Sequence, residues 1–297
     1  MAEFRIGDES YVDQREFIDS GRRCGTPRPS YLQVRRVDGN IAEFRRVNPA
    51  YRRRKGCICF NVQFIHITDG DDGRISEEQR VKQIEVLNEA FNPHQIKFHY
   101  DPSSVKEADN SVWFRMGHRS TAEREAKTAL HVAPETHLNF YTAGIGGGLL
   151  GWATFPYELA GDRDMDGVVM LHSTLPGGST APYNLGQTAT HESGHWLGLY
   201  HTFQSGCVGV GDHVDDTVAH GGPNYGKPEV GLPHNACDPN NDAPVKNFMN
   251  YVDDDWMDHF TEKQGGRMRE QIATFRPDLL ASCTDDIGRF QRVRLIN

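Results

Sequence analysis

The sequence predicts an α+β fold in which a twisted sheet and two long helices are followed by a loop-rich half. Strand-like runs of β-branched and aromatic residues mix with helical patterns between residues 57 and 199. Residues 202–260 are rich in Gly, Pro, Asn and Asp, which is typical of irregular structure. A last helical pattern at residues 261–275 closes the body of the protein.

The predicted elements follow in order along the chain. Residues 57–68 form the first strand and residues 69–73 a turn. Ser76, with Gln79 three residues later, matches a capping box and begins the first long helix. The second long helix covers residues 185–199. The remaining strands are predicted at 96–100, 111–115, 137–142, 149–155 and 167–172.

Charge divides the chain into a basic leader and an acidic body. Residues 1–55 hold 13 Lys and Arg against 8 Asp and Glu, although the whole chain has a net charge of −9. Two interpretations remain open: two differently solvated surfaces, or a pro-segment complementary to the body that it covers. We expect a pro-segment at 1–55 and a catalytic domain at 56–297, divided near residue 201. The run 52–55 is expected to be an exposed linker or a processing site.

Composition limits the partners and the compartment. The acidic body would repel nucleic acid, so no nucleic-acid partner is expected. No stretch approaches the roughly 20 apolar residues that span a bilayer, so no membrane partner is expected. The first residues are charged and show no apolar leader region, so either export does not use that route or a leader peptide was removed. Six cysteines are compatible with one or two disulfides in an exported protein.

The main chemical motif is a pair of histidines four residues apart on the second long helix. His191 and His195 lie on one helix face and can share one metal ion. Glu192 follows the first histidine and can accept a proton from a metal-bound water, whose pKa zinc lowers to roughly 7. Gly198 can end the helix and turn the chain back, which brings His201 to the metal as third ligand.

The eleven residues from His191 to His201 match the metzincin signature of zinc peptidases. The segment 247–251 resembles the Met-turn of that group, with Met249 beneath the metal. Residues 195–207, 211–217 and 260–261 resemble the pappalysin family. The resemblance implies a metzincin-like fold: an upper subdomain with a mixed five-stranded sheet and two helices, and a lower subdomain with the Met-turn and a C-terminal helix. It also implies a cleft whose edge strand, near 150–155, pairs with an extended peptide substrate.

The same resemblance implies roles for residues of the lower subdomain. Tyr251 corresponds to a tyrosine that stabilises the reaction's oxyanion, the alternative being a structural tyrosine. Asp255 corresponds to an acid that selects Arg or Lys just after the scissile bond, the alternative being one more solvated carboxylate. Lys227 and Trp256 replace a cysteine pair of many relatives. The remaining implied features are a disulfide between Cys207 and Cys237 and a calcium loop formed by Asp212, the Val214 carbonyl and Thr217, for which a tight polar turn is the alternative.

A second acidic run begins like a calcium-binding loop. Residues 162–167 carry alternating aspartates and end in glycine, but the twelfth position of the run is Ser173, not Glu. We therefore expect this run to be a turn that leads into a strand.

The leader contains one cysteine, Cys24, in a basic setting. A thiolate is a good zinc ligand, so Cys24 can fill the open position of the metal and keep the protein latent, as in other metzincins. If Asp255 selects basic residues, the run 52–55 is a natural self-cleavage site. The alternative is an ordinary free thiol.

These observations predict a secreted zinc endopeptidase that acts on proteins or peptides and is made as a zymogen inhibited by its own pro-segment. The competing interpretation is a catalytically silent, zinc- and calcium-stabilised peptide-binding module. Glu192 and Tyr251 argue against it, because a binder needs no base beside an open metal site. A zinc peptidase with a glutamate as third ligand is disfavoured by His201.

Overall fold

A mixed sheet built around one long strand forms the upper half of the molecule. The computed structural model describes residues 4–51, 56–281 and 292–296, so the predicted cleavage run 52–55 and Cys283 lie outside the described residues. The strands are β1 (Phe4–Ile6), β2 (Glu9–Tyr11), β3 (Ile58–Thr68), β4 (Ile96–Tyr100), β5 (Lys106–Asp109), β6 (His137–Ala143), β7 (Gly151–Ala153), β8 (Val168–Leu171), β9 (Tyr225–Gly226) and β10 (Tyr251–Val252).

Strand β3 pairs in parallel with β4, β5 and β6, and the sheet continues through β8 to β7. Among the described strands of this sheet, only β7 runs antiparallel to its neighbour, β8, and it forms an edge of the sheet. The mixed five-stranded sheet is thus confirmed as the order β4-β3-β6-β8-β7. A sixth strand, β5, pairs with the second half of β3 beyond the end of β4.

Alternating side chains of β3 supply both faces of the sheet with core residues. Phe60 points towards the long helices, and its ring centre lies 5.5 Å from that of Trp196. Ile65 and Ile67 point to the other face, where Phe17 of the leader belongs to the same buried cluster. The leader therefore contributes to the apolar core.

The helices cover the sheet and close the lower half. They are α1 (Gln14–Asp19), α2 (Tyr31–Val47), α3 (Glu77–Phe91), α4 (Ser111–Phe114), α5 (Thr121–Leu130), α6 (Gln187–Trp196), α7 (Glu262–Phe275) and α8 (Pro277–Ala281). The predicted capping box at Ser76 and Gln79 is present at the start of α3. Helix α6 is shorter than predicted because Gly186 (φ 88°) precedes it and Gly198 (φ 97°) turns the chain after it.

Three predictions about local structure were wrong or incomplete. The segment 111–115 was predicted as a strand, but it begins with helix α4, because the Asn110 side chain accepts hydrogen bonds from the N–H groups of Val112 and Trp113. No helix was predicted in the leader, which contains the 17-residue helix α2. Helix α5 and strand β5 were not predicted.

The lower half is dominated by loops, as predicted. The parallel pair β9–β10 and a disulfide between Cys207 and Cys237 connect them. The run 162–167 is a short turn that leads into β8, also as predicted. Within the described ranges, no helix has both the length and the apolar character needed to cross a bilayer.

Candidate metal centre and active site

Three histidines and one cysteine converge at the junction of the two halves. One ligand atom from each of Cys24, His191, His195 and His201 lies within 4.8 Å of the others. His191 and His195 are one helical turn apart on α6. Gly198 allows the chain to reverse and bring in His201, and a β-carbon there would lie 2.5 Å from the Gln271 side chain.

Backbone carbonyls fix the orientation of the two helical histidines. The Nδ1 atom of His191 lies 2.7 Å from the Phe248 carbonyl, and that of His195 lies 2.7 Å from the Leu199 carbonyl. Because a carbonyl can only accept, each Nδ1 carries the proton and each Nε2 offers a lone pair. The Nε2 atom of His195 lies 3.1 Å from that of His201.

Burial keeps the three imidazoles neutral, which is the form that binds metals. It lowers the pKa of His195 to about 4 and lowers the pKa values of His191 and His201 well below the usual range. The Nε2 atom of His191 is buried and has no hydrogen-bond partner among the described residues. A cation bound between the rings would satisfy it, so the donor set fits a zinc ion.

Residues 247–249 pack against helix α6, which carries His191 and His195. The Met249 sulfur packs against Gly194, where a β-carbon would lie only 2.5 Å from it. The Asn247 side chain accepts a hydrogen bond from the Met249 N–H at 3.0 Å. The carbonyl of Phe248, between them, holds His191. Met249 is completely buried, as the floor position requires.

Glu192 and Tyr251 lie beside the histidines. Burial raises the pKa of Glu192 to about 7, although hydrogen bonds from Cys24 and Thr26 and the charge of Arg23 oppose the shift. The Glu192 carboxylate accepts a hydrogen bond of 2.9 Å from the Thr26 hydroxyl. The Tyr251 hydroxyl lies 3.2 Å from His201 Nε2. Glu192 is thus placed beside His191 on the same helix, and Tyr251 contacts His201 directly.

Comparison with known proteins decides the family. A family profile described as peptidase M43, pregnancy-associated plasma protein-A, matches residues 147–273. An extracellular metalloprotease of Pyricularia oryzae is 34% identical over 87% of this chain and 91% of its own length. Extracellular metalloprotease 1 of Coccidioides posadasii is 39% identical over 69% of this chain and 72% of its own length. The chain belongs to the M43, or pappalysin, family of metallopeptidases.

Solved structures of this family share the fold. A promirolysin mutant of Tannerella forsythia superimposes with a TM-score of 0.72 at 25% identity and covers 88% of this chain and 97% of its own. Mature mirolysin in complex with a cleaved peptide has a TM-score of 0.64 at 26% identity and covers 76% of this chain and 99% of its own. The pro-form therefore matches a larger share of this metallopeptidase than the mature form does.

Leader residues lie beside the three histidines of this metallopeptidase. Residues 23–25 lie along the edge strand: the Arg23 carbonyl accepts from the Leu150 N–H at 2.7 Å, and the Gly25 N–H donates to the Gly151 carbonyl at 2.8 Å. Thr26 follows, and its hydroxyl accepts from the Ala153 N–H at 2.8 Å. Sequence reasoning singled out Cys24 but gave no role to Arg23 or Thr26, although both are its near neighbours.

The remaining predicted residues do not belong to the cluster of Cys24 and the three histidines. Asp255 is about half exposed and paired with Lys227 at the surface. Asp212 is buried in a loop of its own, where its Oδ1 atom accepts hydrogen bonds from Thr217 and from the Val214 N–H. Trp256 stacks under the Lys246 ammonium, which lies 3.6 Å from the ring centre.

Proposed function

We propose that this metallopeptidase is an exported zinc endopeptidase, made as a latent zymogen, that cleaves peptide bonds preceding a basic residue. The observation that carries the catalytic part is the convergence of three neutral imidazoles beside Glu192. Export is supported by the relatives that are named extracellular metalloproteases. The peptide-binding module without catalysis is not favoured, because these relatives are named as proteases.

His191, His195 and His201 would hold the zinc. When bound, zinc lowers the pKa of water and polarises the substrate carbonyl. Glu192, whose pKa is raised by burial, accepts the proton of the attacking water and passes it to the leaving nitrogen. The Tyr251 hydroxyl donates a hydrogen bond to the carbonyl oxygen as that oxygen gains negative charge.

Latency is supported by the way the leader occupies this site. Cys24 would be the fourth zinc ligand of the zymogen. Burial and the nearby Glu192 raise the pKa of its thiol, so the thiolate depends on a cation held by the histidines. The Thr26 hydroxyl donates a hydrogen bond to the Glu192 carboxylate, so the proposed general base is already engaged by the leader. The larger share of this chain matched by promirolysin than by mature mirolysin also supports a pro-segment.

Calcium is proposed for the loop of Asp212, Val214 and Thr217. Burial raises the pKa of Asp212 to about 7, and its Oδ2 atom has no hydrogen-bond partner among the described residues. A buried carboxylate oxygen beside the Val214 carbonyl and the Thr217 hydroxyl suits a hard cation that prefers oxygen ligands.

Basic selectivity is proposed from the acids that follow the Met-turn. Sequence resemblance assigns it to Asp255, and Asp253 and Asp254 precede that residue. A carboxylate facing the position after the scissile bond favours Arg or Lys there through a charge-assisted hydrogen bond. Mature mirolysin, which shares this fold, binds a cleaved peptide in its solved structure, and this is compatible with peptide hydrolysis by the present protein.

The experiment compares activated wild-type protein with Glu192→Ala and, as a matched control, with Glu89→Ala, which changes an exposed carboxylate. Casein hydrolysis and the zinc content of each protein are both measured. We expect Glu192→Ala to retain one zinc per chain and to lose activity by about 10²–10⁴-fold, the usual contribution of a general base. A chelator should abolish wild-type activity, and zinc should restore it. Full activity in the presence of the chelator, or in Glu192→Ala, contradicts the proposal.

A further inference from the structure

We infer that Phe203 is a positioning residue of the metal centre: its ring stacks on that of His201 and orients both this third ligand and Tyr251. The inference rests on the proposed zinc endopeptidase function and deepens it, because it adds a residue that acts through a zinc ligand and not on the substrate. No role for Phe203 was predicted from the sequence.

The third histidine differs from the other two in how its ring is held. The Nδ1 atoms of His191 and His195 each lie 2.7 Å from a backbone carbonyl. Within the described part of the chain, the polar contacts of the His201 imidazole involve Nε2, which lies 3.1 Å from His195 Nε2 and 3.2 Å from the Tyr251 hydroxyl. Nε2 is the atom that would bind the metal, so these contacts do not fix the ring from behind. Because the torsion that turns a histidine ring is soft, another group has to set the ring plane.

The ring of Phe203 supplies this constraint. Its centre lies 4.8 Å from that of His201, and the two planes differ by 14°, so the rings are stacked. Tyr251 packs edge-on against both: its ring centre lies 4.9 Å from that of Phe203 at 76° and 5.1 Å from that of His201 at 88°. Both arrangements are preferred by aromatic pairs. The three rings therefore form one packed unit, in which a tilt of the imidazole displaces its neighbours.

The backbone around Phe203 keeps this unit in place. The His201 carbonyl accepts a hydrogen bond from the Gln204 N–H at 2.9 Å, and the Phe203 carbonyl accepts one from the Gly206 N–H at 3.1 Å. These turns bring the side chains of residues 201 and 203 together, and the disulfide at Cys207 anchors the end of the segment. Only 3% of the surface of Phe203 is exposed.

A further contact of Phe203 belongs to the protein body and does not depend on the leader. The ring of His220, which is completely buried, meets Phe203 edge-on with 5.9 Å between ring centres. His220 is itself held by the Thr202 hydroxyl, which lies 2.9 Å from its Nε2 atom. The leader adds Arg28, whose guanidinium carbon lies 5.7 Å from the Phe203 ring centre. Release of the leader would remove Arg28 but not the stack on His201.

Stacking matters here because a histidine nitrogen binds metal along a direction that lies in the ring plane. A tilt of the His201 ring would move the Nε2 lone pair away from the point that His191 and His195 share. The same tilt would displace the Tyr251 hydroxyl, which is proposed to stabilise the oxyanion. The alternative is that Phe203 only fills space, in which case another apolar side chain of similar size would serve equally well.

The first test measures zinc binding by the full chain in a Glu192→Ala background, which prevents self-cleavage. Phe203→Leu keeps an apolar side chain without the ring, and Phe203→Tyr keeps the ring. Phe98→Leu is the matched control, because Phe98 is 1% exposed and belongs to the core between sheet and helices. Dissociation constants come from competition with a chromophoric chelator, and the visible spectrum of the cobalt-substituted protein reports the ligand geometry.

We expect Phe203→Leu to weaken zinc binding by about tenfold, the lower end of the effect of losing a group that orients a metal ligand, and to change the cobalt spectrum. Phe203→Tyr and Phe98→Leu should bind zinc within about threefold of the parent protein. An unchanged affinity and spectrum in Phe203→Leu overturn the inference. So does equal weakening in Phe98→Leu, which would indicate a general loss of packing, or in Phe203→Tyr, which would show that the ring is not the important feature.

A second test examines Tyr251 in the activated, zinc-saturated protein with a quenched fluorescent peptide. Phe203→Leu should lower kcat by about tenfold and leave KM within about threefold, because the Tyr251 hydrogen bond strengthens in the transition state. In a Tyr251→Phe background the same change should lower kcat much less. Fully additive losses overturn the coupling to Tyr251. If zinc-loaded wild type does not cleave the peptide, the proposed endopeptidase function fails, and the zinc measurements still decide the role of Phe203.

Discussion

His191, His195 and His201 were predictable from spacing alone, because a helix places residues four apart on one face and a glycine permits the return of the chain. Their protonation was not predictable. It depends on the Phe248 and Leu199 carbonyls, and Phe248 comes from a segment more than fifty residues away in sequence. The same limit applies to the acid run after the Met-turn. The sequence does not distinguish a buried from an exposed aspartate there, because tertiary packing decides it.

At the residue scale, we predict that the proposed preference for a basic residue depends on pH through Asp254, whose buried Oδ1 atom lies 4.0 Å from Nη2 of Arg23. Burial raises the pKa of Asp254 to about 6, and the charge of Arg23, which lowers it, is lost with the leader. Above this pKa the carboxylate is charged and attracts a guanidinium; below it, the acid is neutral and the attraction is lost. Two peptides that differ only in carrying arginine or its neutral isostere citrulline after the scissile bond measure this preference, and the ratio of their kcat/KM values should fall as the pH decreases from 8 to 5.

The ratio is the informative measurement, because titration of Glu192 affects both peptides equally and cancels. In Asp254→Asn the ratio should be low and independent of pH. A wild-type ratio that stays constant over this range would show that another group recognises the arginine.

At the element scale, the elements with strong local signals were predictable and those shaped by context were not. Helix α3 begins with the capping box of Ser76 and Gln79, and helix α2 has the same device at Ser30 and Gln33. The capping box of helix α2 was not recognised from the sequence, because the residues around it are rich in Arg and Pro. The apolar run before Arg115 suggested a strand, but the Asn110 cap makes it helical. Strand β5, with the polar sequence KEAD, forms because β3 offers it an edge.

We predict that Asp166 is the main electrostatic connection between three elements of the active-site scaffold. Its buried carboxylate accepts from Trp196 at the end of α6 at 3.0 Å, from Thr154 after β7 at 3.1 Å, and from Arg276 after α7. Asp166→Asn would leave the buried Arg276 guanidinium without its counter-charge. We expect the free energy of unfolding to fall by about 3–5 kcal/mol, the usual cost of breaking a buried ion pair.

Urea denaturation of the full chain, in a Glu192→Ala background, measures this loss. Glu78→Gln is the matched control, because it removes an exposed acid that pairs with Lys82 along a helix surface, and its effect should be small. Similar stabilities of the Asp166→Asn and Glu78→Gln proteins would contradict the prediction.

At the scale of the whole molecule, charge asymmetry indicates that the leader faces the body, but apolar burial accounts for much of the contact. Phe17 and Phe44 are fully buried in the two large clusters on opposite faces of the sheet. The ion pairs between leader and body have both polarities: Arg45 contacts Glu270, whereas Asp38 contacts Arg267. The net charges of leader and body therefore indicate that the two parts attract each other, but they do not predict which residues form ion pairs.

The last prediction separates docking of the leader from its metal ligand. Phe17 is completely buried, with its ring centre 5.7 Å from that of Tyr183, whereas Val12 on the same segment is 71% exposed. Removing a buried phenylalanine ring costs about 3–5 kcal/mol, so Phe17→Ala should increase the fraction of undocked leader. Cys24→Ala should instead leave the leader docked and remove only the proposed fourth zinc ligand. Both changes should shorten the half-time of autoactivation, followed by peptide cleavage and by mass spectrometry of the released leader.

Val12→Ala should activate at the wild-type rate, because its side chain makes little buried contact. Thermal stability of the zymogens, again with Glu192→Ala, distinguishes the two mechanisms: Phe17→Ala should lower it without zinc, whereas the effect of Cys24→Ala should require zinc. Equal activation rates for Phe17→Ala and Val12→Ala would show that docking of this segment does not limit activation. Unchanged latency in Cys24→Ala would show that the thiol is not the group that keeps the zymogen silent.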